Sequence, residues 1–272
     1  MSDSSFRLLR HGAATGAENM AVDEAISQAI AAGLVPPTLR FYAWDPPCVS
    51  LGRNQPVAGV DLDRCAALGY DVVRRPTGGR AILHTDEMTY SMIASPEHPL
   101  MHGYVLDSYL RISHGLVAGL RRVGIDAQEA PGTNRAGPDV SAACFEVPSA
   151  YEIIAGDRKI LGSAQARRST SVLQHGSLPL AGDLTRVVDC LRFEDEAERH
   201  ALRASLAGHA ATVEELLGQA VTVEQAVEAM IAGMAEALAI DFLPGELTGQ
   251  ERMWAGELMR DKYAHDSWTL RV

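Results

Sequence analysis

The stretch YDVVRRPTGGRAILHTDEMTYSMIAS, residues 70–95, carries the clearest strand pattern in this 272-residue chain. Its runs of β-branched, apolar and aromatic residues are broken by turn-forming residues, so they predict three strands joined by two turns. Pro76, Gly78 and Gly79 define the first of these turns. The stretch therefore predicts a sheet whose consecutive strands follow one another closely.

Outward from this stretch, apolar residues at helical spacing predict helices over Ala17–Gly33 and Asp107–Gly124, and a short helix over residues 61–69. Further strand-like runs occupy residues 38–44, 48–55, 150–156, 158–168 and 171–180. From about residue 182 the pattern becomes helical. Together these elements predict an α+β fold, in which a mixed or antiparallel sheet is covered by helices. We expect a core over residues 1–182 and a small helical C-terminal part over 183–272, packed on that core.

Composition and charge limit the possible functions. The chain is 47% hydrophobic and 22% charged, as expected of a globular protein. No apolar run approaches the roughly 20 residues of a membrane span, and the N-terminus lacks the layout of a signal peptide, so a cytoplasmic protein without a membrane partner is expected. The net charge of -11 argues against non-specific nucleic-acid binding. Any acidic partner would have to meet a local basic patch.

The four cysteines are widely spaced and form no CxxC pair, so neither a disulfide framework nor a metal site is expected. Cys48, Cys65 and Cys190 lie in apolar strand or helix contexts and are assigned to packing. Cys144 stands apart because it lies in a long stretch rich in Gly, Pro, Ser and Asn, between SAA and FEVPS. A loop of that length in a compact domain is usually functional or disordered.

Cys144 has two interpretations. Free cysteine is more often buried and inert, whereas a reactive thiol needs a lowered pKa, which a nearby ammonium group can supply. Lys159 lies fifteen positions further on in KILGSAQ, where apolar and small residues alternate. Most lysines lie at the surface, but this context can draw the ammonium toward a pocket. If the loop folds back over the sheet, Lys159 is the best candidate to activate the thiol.

The paired glycines of the first turn also have two interpretations. Gly78 and Gly79 serve either a plain strand connection or the close approach of a ligand to bare backbone. Arg74, Arg75 and His84 flank the turn, and two cations beside a titratable ring would suit an acyl, carboxylate or phosphate group. In LQHGSL, by contrast, His175 before Gly176 is more often a satisfied sheet residue than a catalyst.

Seven ordered segments resemble the biotinyl and lipoyl protein ligase superfamily, and within it the Gram-positive type of octanoyltransferase, which is similar to lipoate-protein ligase A but uses a cysteine. The segments are NMAVDEA, WDPPCVSLGRNQ, RRPTGGRAILH, DEMTYS, CFEVPSAYEI, KILGSAQARR and LQHGSL. They cover most of the first 180 residues in the order found in the family. The resemblance implies an α+β catalytic domain over residues 1–182, with 183–272 as an extension.

The resemblance also implies a reaction. An octanoyl group would pass from acyl carrier protein to Cys144 as a thioester, and then to a lysine of a lipoyl-domain protein such as the glycine cleavage H protein. By family position Lys159 would lower the pKa of Cys144 and orient the acyl carbonyl. No cofactor and a monomeric enzyme are expected. The expected acyl and substrate-binding residues are Arg74, Arg75, Gly78, Gly79, His84, Gly162, Ser163, Ala164, His175 and Gly176.

Three other functions stay open. An ATP- and Mg-dependent lipoate or octanoate ligase would proceed through an acyl-adenylate, but this chain has Arg80 where such ligases typically carry a third glycine. An amidotransferase acting between two lipoyl-domain proteins would share the cysteine and lysine. An accessory protein without turnover is disfavoured because both catalytic candidates are present. For acidic partners, Arg121, Arg122, Arg167 and Arg168 are expected to gather basic charge near the site.

Overall fold

The computed structural model describes residues 5–130 and 152–272, so Cys144 lies outside the described residues. The strands within these ranges are β1 (Ser5–Ala14), β2 (Thr38–Trp44), β3 (Cys48–Leu51), β4 (Asp71–Arg74), β5 (Ile82–His84), β6 (Glu87–Ala94), β7 (Ala127–Glu129), β8 (Ile153–Ala155), β9 (Arg158–Arg167), β10 (Val172–Pro179) and β11 (Asp241–Pro244). The helices are α1 (Gly16–Ala31), α2 (Leu62–Ala67), α3 (Val105–Val123), α4 (Glu196–His209), α5 (Val213–Leu217), α6 (Val223–Leu238), α7 (Gly249–Leu258) and α8 (Asp266–Thr269).

Two sheets organise the described residues. The larger sheet has the strand order β11-β1-β2-β6-β10-β9-β8-β7, and the smaller has the order β4-β3-β5. β1 runs parallel to β2 and to β11, whereas the other pairs of the larger sheet are antiparallel. The expected α+β fold with a mixed sheet covered by helices is therefore confirmed.

The opening stretch forms the three predicted strands, but they do not form one continuous ribbon. β4 and β5 both pair with β3 in the smaller sheet, β4 in parallel and β5 in antiparallel orientation. β6 instead joins the larger sheet between β2 and β10. The glycine turn, defined here as residues 76–80, thus connects two strands of the smaller sheet directly beside the larger one.

The C-terminal part, expected to be helical only, also contributes a strand. β11 extends the larger sheet by pairing with β1, where Phe242 lies opposite Phe6. Neither strand was predicted, because four residues of β11 and the mixed pattern SFRLLRHGAA of β1 give little local signal. The boundary at residue 182 stays a prediction.

The larger sheet is covered on both sides. Its α3 face carries Phe41, Tyr90 and Met92 and packs against α3 and α6 in the largest apolar cluster. Its α1 face carries Leu9, Ile93 and Leu173 and packs against α1. α7 packs on the side of α1 that faces away from the sheet, so α1 is enclosed between the two. None of the helices in the described ranges is both long and apolar enough to cross a membrane.

The tightest helix contact is the crossing of α3 and α6. A Cβ atom at Gly233 of α6 would overlap the backbone of Ala118 and Gly119 in α3. A Cβ atom at Gly119 would in turn approach the Met230 Cα to 2.9 Å. The two helices therefore touch through backbone, and only glycine leaves room for this approach.

We expect Gly233→Ala to lower the free energy of unfolding by about 1 to 3 kcal/mol, because the added methyl group must push α6 away from α3. Gly208→Ala in α4 is the matched control, since a methyl group there would extend into open space. The control should leave stability unchanged or raise it by up to about 1 kcal/mol. Urea unfolding of both variants measures the difference, and equal midpoints would contradict the tight crossing.

Candidate active site

The glycine turn is held from inside by Arg75. Nη2 of Arg75 donates to the carbonyls of Gly78 and Arg80, each at 2.8 Å, and Nη1 donates to the carbonyl of Ser50 at 2.8 Å. Gly79 has a φ of 93°, and a Cβ atom there would lie 2.7 Å from Nη2 of Arg75. A residue with a side chain would therefore be strained in both backbone and contact.

Arg74 also binds main chain. Its guanidinium group donates to the carbonyls of Gly52 and Gln55, each at 2.7 Å, and to that of Thr269 at 3.0 Å. The two arginines expected to bind a substrate anion therefore organise the loops around the turn. Arg74 ties the segment after β3 to the C-terminal helix α8, and Arg75 fixes the turn itself.

His84 is held on all sides by protein groups. Its Nδ1 lies 2.7 Å from Oε1 of Glu87, its Nε2 lies 2.8 Å from Oγ of Ser50, and its ring stacks on Trp44 at 4.0 Å. Burial alone would raise the pKa of Glu87, but the neighbouring His84 ring and hydrogen bonds from Ser177 and Thr89 lower it. Glu87 is therefore a carboxylate that fixes the ring orientation of His84.

His175 meets the glycine turn. Its Nε2 lies 2.6 Å from Oγ1 of Thr77, and its Nδ1 faces Oδ2 of Asp23 at 3.6 Å. In the sheet His175 pairs with Ala164, so both side chains lie on the α1 face. Burial lowers the pKa of His175 despite the neighbouring Asp23, so the ring is neutral near pH 7.

A β-bulge in β9 determines which face Lys159 occupies. Leu161 pairs with Ile153 whereas Lys159 pairs with Ile154, so Ile160 is the extra residue. Ile160 and Leu161 then both pack in the cluster on the α3 face. Strict alternation would place Lys159 on that face too, whereas the bulge turns it to the α1 face. Lys159 thereby shares a face with Gly162 and Ala164.

Lys159 is fully buried and forms an ion pair with Glu152, which follows directly on the undescribed residues. A buried ammonium of this kind is retained because its charge is matched by a carboxylate. Cys144 is not described, so its proximity to the Lys159 nitrogen stays a prediction. Lys159 and Ala164 lie five positions apart along β9, but the bulge takes up one position, so their Cα atoms are separated by roughly 14 Å.

The small residues expected to line one slot divide between the two faces of the sheet. Gly162 and Ala164 lie on the α1 face with His175. Ser163 and Gly176 pair with each other on the opposite face. There the Ser163 hydroxyl contacts the Tyr90 hydroxyl at 2.8 Å, and a Cβ atom at Gly176 would lie 2.6 Å from the Tyr90 ring. Gly176 therefore makes room for Tyr90.

The four arginines expected to gather near the site are separated. Arg121, near the end of α3, donates to the carbonyl of Ala127 at 3.2 Å, and the neighbouring Arg122 pairs with Glu236. Arg167 donates to the Gly103 carbonyl at 2.6 Å, close to the start of α3, and Arg168 pairs with Glu24. Because α3 is about 28 Å long, the two pairs lie at opposite ends of it.

The cysteines within the described ranges agree with the packing assignment. Cys48, Cys65 and Cys190 are free and buried, and burial raises the pKa of Cys48 well above its usual value. Within residues 5–130 and 152–272, no group of His, Cys, Asp or Glu side chains is arranged to hold a metal ion.

Several residues of the site carry no sequence signal of their own. Thr77 is an ordinary residue of a predicted turn, and Glu152 is one of many acidic residues. Asp23 lies in a helix that was predicted only from its apolar residues. Trp44 becomes significant only by stacking on His84. All four do lie inside quoted segments, which were the signal available for them: Asp23 in NMAVDEA, Trp44 in WDPPCVSLGRNQ, Thr77 in RRPTGGRAILH and Glu152 in CFEVPSAYEI.

Comparisons with known proteins agree on one family. The model of the family described as "Lipoyl protein ligase A/B catalytic domain" matches residues 15–235. The octanoyltransferase LipM of Kyrpidia tusciae is 46% identical over 271 residues, covering 98% of each chain. The octanoyltransferase LipM of Symbiobacterium thermophilum is 44% identical over 274 residues, covering 99% of each chain.

Solved structures give the same result. A bipartite lipoate protein ligase from Thermoplasma acidophilum superposes with a TM-score of 0.81 at 26% identity, covering 98% of this chain and 96% of that one. A lipoate-protein ligase A bound with ATP superposes with a TM-score of 0.80 at 28% identity, covering 98% of both chains.

We expect Gly79→Ala to lower the free energy of unfolding by about 1 to 3 kcal/mol, because it combines a positive φ with a contact against Arg75. Gly78→Ala is the matched control in the same turn, since a Cβ atom there would meet no described atom within 4 Å. The free energy of unfolding of the control, measured by chemical denaturation, should change by no more than about 0.5 kcal/mol. Equal losses in both variants would show that the turn is not held as described.

Proposed function

The chain belongs to the lipoyl protein ligase A/B catalytic-domain family and is an octanoyltransferase, and we propose that it works through a thioester on Cys144. The octanoyl donor is octanoyl-acyl carrier protein. The acceptor is a lysine of a lipoyl-domain protein such as the glycine cleavage H protein. The enzyme acts as a monomer in the cytoplasm, and the reaction serves protein lipoylation.

The placement of Lys159 carries this proposal. The ammonium group is buried, ion-paired with Glu152 and turned by the β-bulge to the face that carries Gly162, Ala164 and His175. Glu152 lies eight positions after Cys144, so the segment that carries the thiol joins the described residues at the ion pair. A cation fixed in that position favours a thiolate over a thiol.

In the first step the thiolate of Cys144 attacks the thioester carbonyl carbon of the donor. The carbonyl oxygen takes up the negative charge of the tetrahedral intermediate, and the Lys159 ammonium stabilises that charge. The carbon–sulfur bond to the carrier then breaks, and the carrier sulfur leaves with the electron pair of that bond as a thiolate. The octanoyl group is now held as a thioester on Cys144.

In the second step the neutral amine of the acceptor lysine attacks the acyl-enzyme. The bond to the Cys144 sulfur breaks with its electron pair going to the sulfur, the attacking nitrogen gives up one proton to solvent, and the thiolate is restored. An amide replaces a thioester, so the step is strongly downhill and needs no ATP. This separates the reaction from that of a ligase, which must first activate a free acid as an acyl-adenylate.

The octanoyl chain lies in an acyl slot, formed by Gly162, Ala164 and His175 on one side and by the glycine turn on the other. The roughly 14 Å between Lys159 and Ala164 along β9 is long enough for an extended octanoyl chain. Burying six methylene groups contributes about 5 kcal/mol, which is enough to select for chain length.

We expect purified protein mixed with octanoyl-acyl carrier protein, without ATP, to gain the mass of one octanoyl group. Cys144→Ser should give no such adduct and should transfer no octanoate to an H protein, because an alcohol is a far weaker nucleophile than a thiolate at neutral pH. Cys48→Ser, at a buried cysteine outside the site, is the control and should acylate normally.

Intact-mass spectrometry and an H-protein acylation assay make the measurement. Wild-type rates of transfer by Cys144→Ser would disprove the thioester mechanism. Strict dependence on ATP with free octanoate would select a ligase instead. Octanoyl transfer only from an octanoylated lipoyl-domain protein would select an amidotransferase.

We expect Lys159→Ala to shift the alkylation of Cys144 by iodoacetamide to higher pH, because the thiolate loses its neighbouring cation. Lys262→Ala is the matched control, since Lys262 is the other lysine of the chain and also pairs with a buried carboxylate, Glu24. Rates of alkylation against pH, with the modified residue identified by peptide mass, make the test. Identical profiles for wild type and Lys159→Ala would remove Lys159 from this role.

A further inference from the structure

A buried series of polar contacts runs from α1 across the α1 face of the larger sheet to the glycine turn. Its members are Asp23 on α1, His175 on β10 and Thr77 in the turn. Asp23 and Thr77 are fully buried, and His175 is 6% exposed. The His175 ring bridges the other two, with Nδ1 facing Oδ2 of Asp23 at 3.6 Å and Nε2 at 2.6 Å from Oγ1 of Thr77.

The first member of the series is firmly anchored. Asp23 accepts hydrogen bonds from Nη1 of Arg40 at 2.8 Å, from the hydroxyl of Tyr42 at 3.1 Å and from Oγ of Ser91 at 2.9 Å. Burial alone would raise the pKa of Asp23, but Arg40 and His175 lower it. Asp23 is therefore an ionised carboxylate whose position is set by two neighbouring strands.

Because Asp23 is ionised, the donor and acceptor in each contact among Asp23, His175 and Thr77 can be assigned. A carboxylate can only accept, so the proton of the neutral His175 ring belongs on Nδ1, facing Asp23. Nε2 is then an acceptor, and the Thr77 hydroxyl must donate to it. Thr77 is thus bound in one defined orientation by a group that cannot reverse its role without moving a proton.

Thr77 transmits this constraint to the turn. Its carbonyl accepts a hydrogen bond from the backbone nitrogen of Arg53 at 2.8 Å, so Thr77 is held by both side chain and main chain. The next residue is Gly78, whose carbonyl Arg75 holds. On the other side His175 pairs with Ala164 of β9. The series of contacts therefore fixes the distance between the turn and the strand that carries Ala164.

We propose that Asp23, His175 and Thr77 are positioning residues that hold the glycine turn against β10 and thereby set the width of the acyl slot. The inference rests on the proposed acyl slot, but the position of the turn can be measured without activity. Because Thr77 meets the sheet beside Ala164 and not beside Lys159, loss of its hydroxyl should weaken binding of the octanoyl chain more than it slows the chemistry.

The decisive variant is Thr77→Val, which replaces the hydroxyl with a methyl group of similar size and leaves Nε2 of His175 without its donor. We expect KM for octanoyl-pantetheine to rise about tenfold, in line with the loss of one buried hydrogen bond, and kcat to fall less than about threefold. We also expect faster amide hydrogen exchange in peptides covering residues 76–82, measured by mass spectrometry.

Four further variants separate positioning from general damage. Thr77→Ser keeps the hydroxyl and should restore KM and slow exchange. His175→Gln can place an acceptor near the position of Nε2 and should retain more binding than the shorter His175→Asn. Thr38→Val is the control, since Thr38 is equally buried and hydrogen-bonded but takes no part in the contacts among Asp23, His175 and Thr77. It should lose stability without a change in KM or in exchange of the turn.

Wild-type exchange of residues 76–82 in Thr77→Val would overturn the inference, as would an equal rise in KM for Thr77→Val and Thr77→Ser. A wild-type enzyme that takes no octanoyl group at Cys144 would instead disprove the proposed function. In that case the exchange data on Thr77→Val, Thr77→Ser and Thr38→Val still determine whether the series of contacts positions the turn.

Discussion

The buried ion pair between Asp23 of α1 and Arg40 of β2 is the constraint on which the site depends. Both groups are almost fully buried, and removing one partner of such a pair typically costs about 3 to 5 kcal/mol. The pair is satisfied by further bonds, since Nη2 of Arg40 donates to the Asn19 side chain at 2.7 Å. α1 is therefore fixed to the sheet by charge as well as by apolar packing, and its rotation about its own axis is set.

The next residue along α1 faces the other way and connects the C-terminal part. Glu24 pairs with Lys262 and accepts a hydrogen bond from the hydroxyl of Tyr263, both in the π-helical turn after α7. It also pairs with Arg168 at the end of β9. Two adjacent carboxylates on α1 thus hold the sheet on one side and the C-terminal helices on the other. The C-terminal part covers α1, which explains why polar residues on both sides of this helix are buried.

Local sequence patterns predicted those helices and strands whose conformation follows from their own residues rather than from partners distant in sequence. The apolar stripe of α1 was identified from Met20, Ala25 and Ile26, and the strands β2, β6, β9 and β10 follow the predicted runs closely. What the pattern could not predict depends on partners distant in sequence. β11 is a strand that pairs in parallel with β1, from the other end of the chain, and the separation of Arg121 from Arg168 depends on how α3 lies against the sheet.

The residues of the candidate site could be named from the sequence but their orientation could not, and their roles stay predictions. The quoted segments identified the glycine turn, Lys159 and His175, yet they could not show that a bulge at Ile160 turns Lys159 to the α1 face. They also could not show that Arg74 and Arg75 bind main-chain carbonyls. A sequence pattern shows which side chains are present, whereas the face of the sheet on which each one lies depends on the register between strands.

For the proposed acyl slot, the value of a fixed turn follows from the size of the octanoyl chain. Burial of six methylene groups supplies about 5 kcal/mol. Ordering the backbone of four free residues, such as 77–80, would cost roughly 4 to 8 kcal/mol if it occurred on binding. A mobile turn would therefore consume most of the free energy that the octanoyl chain can provide. In the proposed acyl slot, a turn already ordered by Arg75, His175 and Thr77 would leave that free energy available for binding and for discrimination by chain length.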